Sequence, residues 1–399
     1  MGESEQILVR VEPRIGDIDA AEWDLCANPQ TSTEQSGSSY NPFVSHAFLK
    51  ALEESGSVAP QAGWAPQHLV LDDGSGSILG CMPCYMKSHS QGEYVFDHGW
   101  ADAFERAGGR YYPKLQVCIP FTPVTGRRLL IPPCADAPER ERHLINAAAT
   151  LLARHDLSSL HITFLTQGEW ERLGALGLLR RTGQQFHWHN EGYESFEAFL
   201  SALSSRKRKE IRKERRLALA SGVEIERVTG STLTEAHWDA FFAFYMDTGS
   251  RKWGRPYLNR QFFSLVGAAM ADDILLIMCR REGRYIAGAL NFIGGDCLYG
   301  RYWGCIEHHR FLHFEACYYQ AIEFAIERGL ARVEAGAQGP HKLARGYLPV
   351  TTYSAHLIAD EGLRDAVAHY LDHEREDVAA ENAFLAQHAP FRAKSGNSG

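Results

Sequence analysis

Ionisable side chains are concentrated in one stretch of the sequence, residues 299–349. The segment Ile306–His313 contains three histidines and Arg310, and Glu315 follows closely. A second segment, residues 338–349, is bounded by glycine and proline, a composition typical of a positioned loop. It contributes four further polar side chains: His341, Lys342, Arg345 and Tyr347. Together these residue types can supply a general base, a proton donor and a cation that stabilises a developing negative charge.

The elements that must position these groups follow from residue spacing. A strand is predicted at Leu298–Cys305, where aromatic residues alternate between glycines. A helix is predicted from about Phe314 to Arg328, with Gly329 as its stop signal. Helical spacing of apolar residues predicts a buried stripe of Phe314, Cys317, Tyr318, Ala321, Ile322 and Ala325. A different face of the helix carries Glu315, Tyr319, Glu323 and Glu327.

Four residues of this region allow more than one interpretation. Cys317 is expected in the core rather than as a nucleophile, because free cysteine is among the most frequently buried residue types. Glu315 lies in the first helical turn, where a carboxylate either interacts with the helix dipole or takes part in chemistry. His309 and His313 have the i, i+4 spacing of metal ligands, but they precede the helix and form no HExxH motif. No metal site is therefore predicted.

A strongly basic segment forms a second candidate site. Residues 206–216 contain eight basic and two acidic residues, and Ser204 and Ser205 precede them as candidate helix caps. The segment is predicted to be a helix with a cationic face, which either is solvated surface or binds the phosphates of tRNA, CoA or a nucleotide-linked acceptor. Its candidate phosphate contacts are Lys207, Arg208, Arg212 and Arg215. Arg127 and Arg128, in a Gly-Arg-Arg turn, are a weaker candidate.

Length and composition place the chain among globular proteins. It has 399 residues, of which 45% are hydrophobic and 23% charged, so it can form two or three domains with separate cores. No apolar run has the length of a membrane span, and the polar N-terminus lacks a signal-peptide pattern. Nine cysteines without framework spacing agree with a reducing compartment. The sequence therefore predicts a cytoplasmic protein without a membrane span.

A weak internal duplication predicts the domain organisation. The segment Asp17–Asp24 is similar to Thr232–Asp239, and Ser45–Leu52 corresponds to Asn259–Val266 at comparable spacing. A period this long indicates two copies of one domain rather than a solenoid. The predicted domains are residues 1–190, residues 191–375 with the candidate site, and a C-terminal helix end and flexible tail at 376–399. Each copy is predicted to contain antiparallel strands followed by helix and strand, a mixed α/β arrangement.

Several longer phrases of the sequence are similar to a known family. These are Asn41-Pro-Phe-Val-Ser-His-Ala-Phe-Leu, Gly92-Glu-Tyr-Val-Phe-Asp-His, Tyr112-Pro-Lys-Leu-Gln, Pro120-Phe-Thr-Pro-Val-Thr-Gly, Leu312-His-Phe-Glu-Ala-Cys-Tyr-Tyr-Gln and Gly336-Ala-Gln-Gly-Pro-His-Lys. From about residue 8 to residue 390, the chain resembles the bacterial FemAB-like N-acyltransferases, relatives of the Fem-type peptidoglycan aminoacyltransferases. The resemblance implies two tandem GNAT-like domains, each with a mixed, mainly antiparallel sheet flanked by helices.

The resemblance also implies an activity and its substrates. It implies a transferase that moves an acyl or aminoacyl group from aminoacyl-tRNA or acyl-CoA to an amine, such as a muropeptide precursor of peptidoglycan. No tightly bound cofactor is expected. GNAT enzymes that use CoA bind its pyrophosphate on backbone amides of a glycine-containing loop. Here the corresponding segment Arg310–Glu315 has His313 and Glu315 at the glycine positions, and a carboxylate there would repel pyrophosphate. This departure disfavours CoA at this site.

The candidate roles follow from the chemistry of acyl transfer. Glu315, with His313 as the alternative, is predicted to be the base, and Lys342 lies in a motif similar to the lysine motif of the Fem-type transferases. Tyr347 or Tyr318 is predicted to return a proton to the leaving group, without a covalent enzyme intermediate. The remaining substrate- or donor-binding candidates are Tyr302, Trp303 and Gly304, whose amides would face the oxyanion, and Arg310, His341 and Arg345.

A second class of function fits the same sequence. In this alternative, the repeated domain has lost catalysis and binds RNA or a nucleotide-linked precursor as a recognition module. The convergent titratable groups favour the enzyme, because a binding surface does not require an acid and a base. The sequence leaves open the donor, the acceptor, the oligomeric state and the choice between Glu315 and His313 as base.

Overall fold

The computed structural model describes residues 7–29, 39–252, 256–336 and 339–392. The predicted C-terminal tail, residues 394–399, lies outside the described residues. The chain divides into two compact units. Unit 1 comprises Met1–Gly183, Tyr257–Ala269 and Thr352–Val378, and unit 2 comprises Gln184–Pro256, Met270–Thr351 and Ala379–Gly399. The first boundary lies close to the one predicted at residue 190. The units differ from the prediction because neither is continuous along the chain.

Both units contain strands and helices. The strands are β1 Leu8–Glu12, β2 Trp64–Pro66, β3 His68–Asp72, β4 Ile78–Met82, β5 Cys84–Lys87, β6 Lys114–Val117, β7 Ser159–Leu165, β8 Leu179–His189, β9 Glu224–Val228, β10 Ile274–Arg281, β11 Arg284–Ile293, β12 Cys297–Cys305, β13 Arg332–Glu334 and β14 Leu348–Ile358. The helices are α1 Ala20–Ala27, α2 His46–Glu54, α3 His98–Arg106, α4 Ala137–Arg154, α5 Gln167–Ala175, α6 Phe196–Ala202, α7 Ser205–Leu219, α8 Glu235–Lys252, α9 Arg260–Ala269, α10 Leu312–Phe314, α11 Gln320–Glu327 and α12 Glu361–Gln387. A π-helical segment, Glu315–Tyr319, joins α10 to α11. None of the helices in the described ranges combines the length and apolarity that a bilayer span requires.

Unit 1 contains a sheet in the order β2-β5-β6-β7-β14 and a small sheet β1-β3-β4. All neighbours in the larger sheet are antiparallel except β6 and β7, which are parallel. Leu115 and Ile162 contribute to a core shared with α4. The alternate residues Lys114, Gln116 and His161 point to the opposite face, because successive side chains of a strand alternate.

Unit 2 contains strands in the order β8-β13-β12-β11-β10-β9. Strands β9 to β12 form an antiparallel run, β12 and β13 are parallel, and β13 is antiparallel to β8. The turn residues Arg281-Glu-Gly283 and Gly294-Gly-Asp296 predict three strands, at Ile274–Cys279, Tyr285–Ile293 and Cys297–Gly304. All three are confirmed, and their ends differ from the prediction by at most two residues. Unit 2 therefore combines an antiparallel meander with a parallel step, and helix 312–327 connects the two strands of that step.

Gly304 allows a helix to pack closely on β12. A Cβ atom at Gly304 would lie 2.2 Å from the carbonyl oxygen of Phe244 in α8. The glycine is therefore explained by the approach of the α8 backbone. The packing of α8 thus accounts for the missing side chain, and the predicted role of the Gly304 amide at the oxyanion stays a prediction.

Gly304→Ala is expected to destabilise the protein by about 2 kcal/mol, because the added methyl group overlaps the backbone of Phe244. Gly300→Ala on the same strand is the matched control, since its Cβ would meet no atom closer than 3.4 Å. The measurement is the free energy of unfolding in urea. Equal losses in the two variants would contradict this packing role for Gly304.

Candidate active site

Two parallel strands separate in unit 2. The pairing between β12 and β13 covers Cys297–Tyr299 and Arg332–Glu334. Within the described residues, the rest of β12 pairs only with β11, so the edge of Gly300–Cys305 that faces away from β11 has no strand partner. Tyr302 and Trp303 lie on this stretch, where the sequence predicted an open edge. A strand edge of this kind is a place where another group can approach a sheet.

The predicted helix after β12 is present but contains an irregular turn. The helical segment runs from Leu312 to Glu327, and its residues Glu315–Tyr319 are π-helical. The prediction placed Glu315 and Tyr319 on a face with the solvated Glu323 and Glu327, yet both are fully buried. A π turn adds one residue, which rotates the preceding residues by about 100° around the axis. The prediction assumed a regular α-helix, and it therefore placed Glu315 and Tyr319 on the wrong face.

Glu315 is held by an arginine of α7. Arg215 donates to Glu315 in a bidentate arrangement, at 2.8 Å from Nη2 to Oε1 and 3.0 Å from Nε to Oε2. Gln320 Nε2 also donates to Oε1 at 2.8 Å, and Arg215 Nη2 reaches Glu323 at 3.0 Å. The carboxylate has no solvent exposure. This geometry contradicts Glu315 as a base that contacts substrate, and Arg215 as a phosphate contact.

His313 lies among aromatic rings at the open edge. Its ring is 5.4 Å from the ring of Trp303 on β12 and 5.4 Å from that of Tyr318. The hydroxyl of Tyr318 forms a 2.9 Å hydrogen bond with Nε2 of His341, an exposed residue of the following loop. Two imidazoles and a phenol therefore lie close together, and His341 connects them to solvent.

Lys342 approaches from the end of β13. Its side chain is buried, and Nζ donates to the carbonyl oxygen of Gly336 at 2.8 Å. Burial lowers the pKa of Lys342 to about 8, and the positive charge of Arg301 acts in the same direction. Cys317, predicted to be in the core, is only partly buried and contributes an opposing effect on the same pKa. An amine of this kind carries its charge at neutral pH and loses it in mildly alkaline solution.

Arg345 and Tyr347 are more enclosed than the sequence predicted. Arg345 donates to both oxygens of Glu214, at 2.8 and 3.0 Å, and to the carbonyl of His341 at 2.8 Å. Its guanidinium lies 3.4 Å from the ring centre of Phe314. Tyr347 is fully buried, and no hydrogen-bond partner of its hydroxyl is found in the described part of the chain. Neither side chain is placed to contact a substrate, so the predicted roles of both are replaced by structural ones.

The arginine turn of unit 1 is not a phosphate site. Arg127 donates to the carbonyls of Cys26, Ala27 and Ile131. Arg128 is fully buried and donates to four carbonyls, and its burial lowers its pKa to about 10. Both guanidinium groups hold the backbone together. Local sequence could not distinguish this use from phosphate binding.

The predicted basic helix is confirmed as α7, and its charges are divided between two faces. The exposed residues are Arg206, Lys209, Arg212, Lys213 and Arg216. Of the predicted contacts, Lys207 pairs with Glu210 at 2.8 Å and Arg212 pairs with the exposed Glu197. Arg208 is partly exposed and has no ion pair among the residues that the structure describes. Exposed pairs contribute little stability, so this face can exchange its partners for a polyanion.

Three further observations concern the loop before helix 312–327, the first amides of that helix and the absence of a candidate metal site among the described residues. Arg310 is exposed, with its guanidinium 4.6 Å from the ring centre of Phe311. The backbone amides of Leu312, Phe314 and Glu315 already donate to the carbonyls of His309 and Phe311. In the described ranges, no group of three His, Cys, Asp or Glu side chains could hold a metal ion.

Glu214 was not among the predicted site residues, yet it accepts hydrogen bonds from Arg345 and from the hydroxyl of Tyr319. A signal for its position was present. Ile211, Glu214, Arg215 and Ala218 follow the i, i+3, i+4, i+7 spacing of a helix face, and Ile211 and Ala218 are buried. The polar pair in the middle of this stripe therefore had to face the protein interior.

A further polar cluster in unit 1 was also missed. Lys114 is fully buried and bonds Glu93 at 2.7 Å, Asp97 at 2.5 Å and Ser90 at 2.8 Å. Burial raises the pKa of Glu93 to about 7. The adjacent Lys87 has a pKa lowered to about 7, again through burial. The two lysines and the two carboxyl groups of this cluster thus lie close together within unit 1, where their charges compensate one another.

Comparison with solved structures identifies the fold. FemX superposes with a TM-score of 0.54 at 13% identity, over 88% of this chain and 98% of that chain. A tandem GNAT protein from the clavulanic acid biosynthesis pathway gives 0.48 at 12% identity, over 89% and 99%. L-PGS from Bacillus licheniformis gives 0.47 at 9% identity, over 85% and 99%. The predicted mixed α/β fold is confirmed, and the chain shares it with FemX.

The sequence itself identifies the family. The profile of the FemAB-like family, described as peptidoglycan biosynthesis/recognition, matches residues 14–393. The chain therefore belongs to the FemAB-like family, as the resemblance predicted. No curated protein matches the sequence.

Glu315→Gln is expected to lower the free energy of unfolding by about 3 kcal/mol, because it removes the buried charge that Arg215 contacts with two hydrogen bonds and leaves only the partly exposed Glu323 as an anionic partner. Glu327→Gln, the same change on an exposed residue of α11, should change it by less than about 0.5 kcal/mol. Chemical denaturation measures both. Equal stabilities of the two variants would show that the Arg215–Glu315 pair is not an important contact.

Proposed function

We propose that this protein transfers an aminoacyl group from aminoacyl-tRNA to an amine of a peptidoglycan precursor. The observation that carries the proposal is the opening between β12 and β13, which has His313 beside one strand and Lys342 beside the end of the other. A base and a cation on opposite sides of an opening suit a reaction in which an amine attacks a carbonyl group. The family description supports the acceptor class.

The donor is proposed to be an aminoacyl ester of tRNA rather than acyl-CoA. The first amides of helix 312–327 already donate to carbonyls, so they do not offer a cradle for pyrophosphate. Glu315, at one of the glycine positions of a CoA-binding loop, is buried and paired with Arg215, so this part of the loop is filled by protein contacts. The exposed cations of α7, in contrast, suit an extended phosphate backbone.

In the proposed mechanism the acceptor amine attacks the ester carbonyl carbon of the donor. His313 removes a proton from the attacking nitrogen, and Lys342 in its protonated form stabilises the negative charge on the carbonyl oxygen. The carbon–nitrogen bond forms as the bond to the ribose oxygen breaks. Tyr318, connected to His341, supplies a proton to that oxygen. Glu315 acts only indirectly, by fixing the helical turn that carries His313.

His313→Gln and Lys342→Met are each expected to lower the rate of amide formation about 100-fold or more, because each removes a group needed in the transition state. The assay supplies aminoacyl-tRNA or acyl-CoA with a precursor peptide that has a free amine, and mass spectrometry detects the product. Cys317→Ser is the control and should retain activity. Binding of tRNA without transfer from either donor would instead support the non-catalytic module.

The rate of amide formation in this assay is also expected to depend on pH. Because the folded-state pKa of Lys342 is about 8, the stabilising charge is present below that pH and is lost as the pH rises through it. The wild-type rate should therefore decline above about pH 8. Lys342→Arg keeps its charge and should remove this decline.

The exposed face of α7 generates a separate prediction. Replacing Lys209, Lys213 and Arg216 by alanine should weaken tRNA binding and reduce the slope of log affinity against log salt by roughly 0.7 to 0.9 per lost phosphate contact. Arg284→Ala, which changes an exposed arginine of β11, is the control. Filter-binding titrations at several salt concentrations measure the slopes. An unchanged slope in the triple variant would assign this face to solvent.

A further inference from the structure

Helix α7 has two consecutive residues of opposite charge on its inner side. Glu214 binds Arg345, and Arg215 binds Glu315. The two partners belong to different parts of the candidate site. Arg345 ends the turn Pro340–Arg345 that contains His341 and Lys342, whereas Glu315 lies two residues after His313. One rigid helix therefore holds both the segment with the proposed cation and the segment with the proposed base.

The contact through Glu214 is well formed. Both oxygens accept from Arg345, the hydroxyl of Tyr319 donates to the same carboxylate, and the two charged side chains are 16% and 8% exposed. Arg345 is further fixed by the ring of Phe314 and by the carbonyl of His341. Charge-assisted hydrogen bonds of this kind are stronger and more directional than neutral ones. These contacts connect α7 directly to the turn that contains Lys342.

The outer side of the same helix carries the exposed cations. Arg206, Lys209, Lys213 and Arg216 recur at intervals of three and four residues, so they lie along one face. A polyanion on this face would bind the outer side of α7. The inner side of the same helix contacts the candidate site through Glu214 and Arg215. If binding of the polyanion makes α7 more ordered, it should also make the segments that contain His313 and Lys342 more ordered. By linkage, order in these two segments should in turn strengthen polyanion binding.

We propose that α7 couples polyanion binding to the geometry of the candidate site, with Glu214 as the positioning residue for the Lys342 turn. This proposal rests on the proposed function only for the identity of the polyanion as tRNA. Glu214 acts on the candidate site through its contact with Arg345, without contacting the substrate.

Hydrogen–deuterium exchange of the full chain, with and without unfractionated tRNA, tests the coupling. In the wild type, tRNA should slow exchange about fivefold or more in three segments, residues 205–219, 312–319 and 339–346. Glu214→Gln should lose the effect in residues 339–346 and keep it in residues 205–219 and 312–319, because Arg215 still binds Glu315. Glu214→Asp, which keeps the charge, should restore part of the lost protection.

Glu210→Gln is the matched control, since Glu210 lies one turn earlier and pairs with Arg206 and Lys207 on the exposed side. It should retain all three effects, and unchanged exchange in strands β10 and β11 of unit 2 shows that each variant is folded. The coupling is overturned if tRNA leaves residues 339–346 of the wild type unchanged, or if Glu214→Gln retains their protection.

The exchange result does not depend on acyl transfer. A protein that shows the coupling but transfers nothing would refute the proposed function alone. Where transfer is measured, Glu214→Gln should lower kcat about tenfold, because it disturbs the position of Lys342. By the same linkage it should weaken tRNA binding by no more than the coupling that it removes.

Discussion

A carboxylate without solvent exposure must be paired with a cation, and this requirement connects the main parts of unit 2. Glu315 lies at the centre of the buried helical turn, and Arg215 supplies its charge and two hydrogen bonds. The pair fixes α7 against helix 312–327. It thereby fixes where His313 lies relative to β12, and it leaves the remaining cations of α7 on the outer face.

The sequence predicted the regular parts of this architecture well, because those parts depend on local spacing. The strands β10 to β12, the helix that follows them and the basic helix α7 all appear at the predicted places. The roles of individual charged residues were harder to predict. Glu315, Arg215, Arg127 and Arg345 all have partners distant in sequence, and only the tertiary fold determines whether such a group binds protein or ligand.

The division into units shows a similar limit. Segments 257–269 and 352–378 belong to unit 1 although they follow parts of unit 2 in the chain. Strand β14 pairs with β7 through residues 353–358, a non-local contact that no repeat in the sequence indicates. Each unit nevertheless has one parallel step, β6–β7 in unit 1 and β12–β13 in unit 2, bridged by a helix. This recurrence is what an internal duplication requires, and the duplication itself stays a prediction.

The π-helical segment at residues 315–319 has an implication for how members of this family diverge. A π turn differs from an α turn by a single residue, so deletion of one residue there would convert the segment to a continuous α-helix. The residues before the deletion would rotate by about a quarter of a turn, and position 315 would no longer face α7. In homologues of this protein, the length of this short segment should therefore vary together with the presence of an arginine at position 215. An alignment that places a gap elsewhere in the helix would pair residues that occupy different faces.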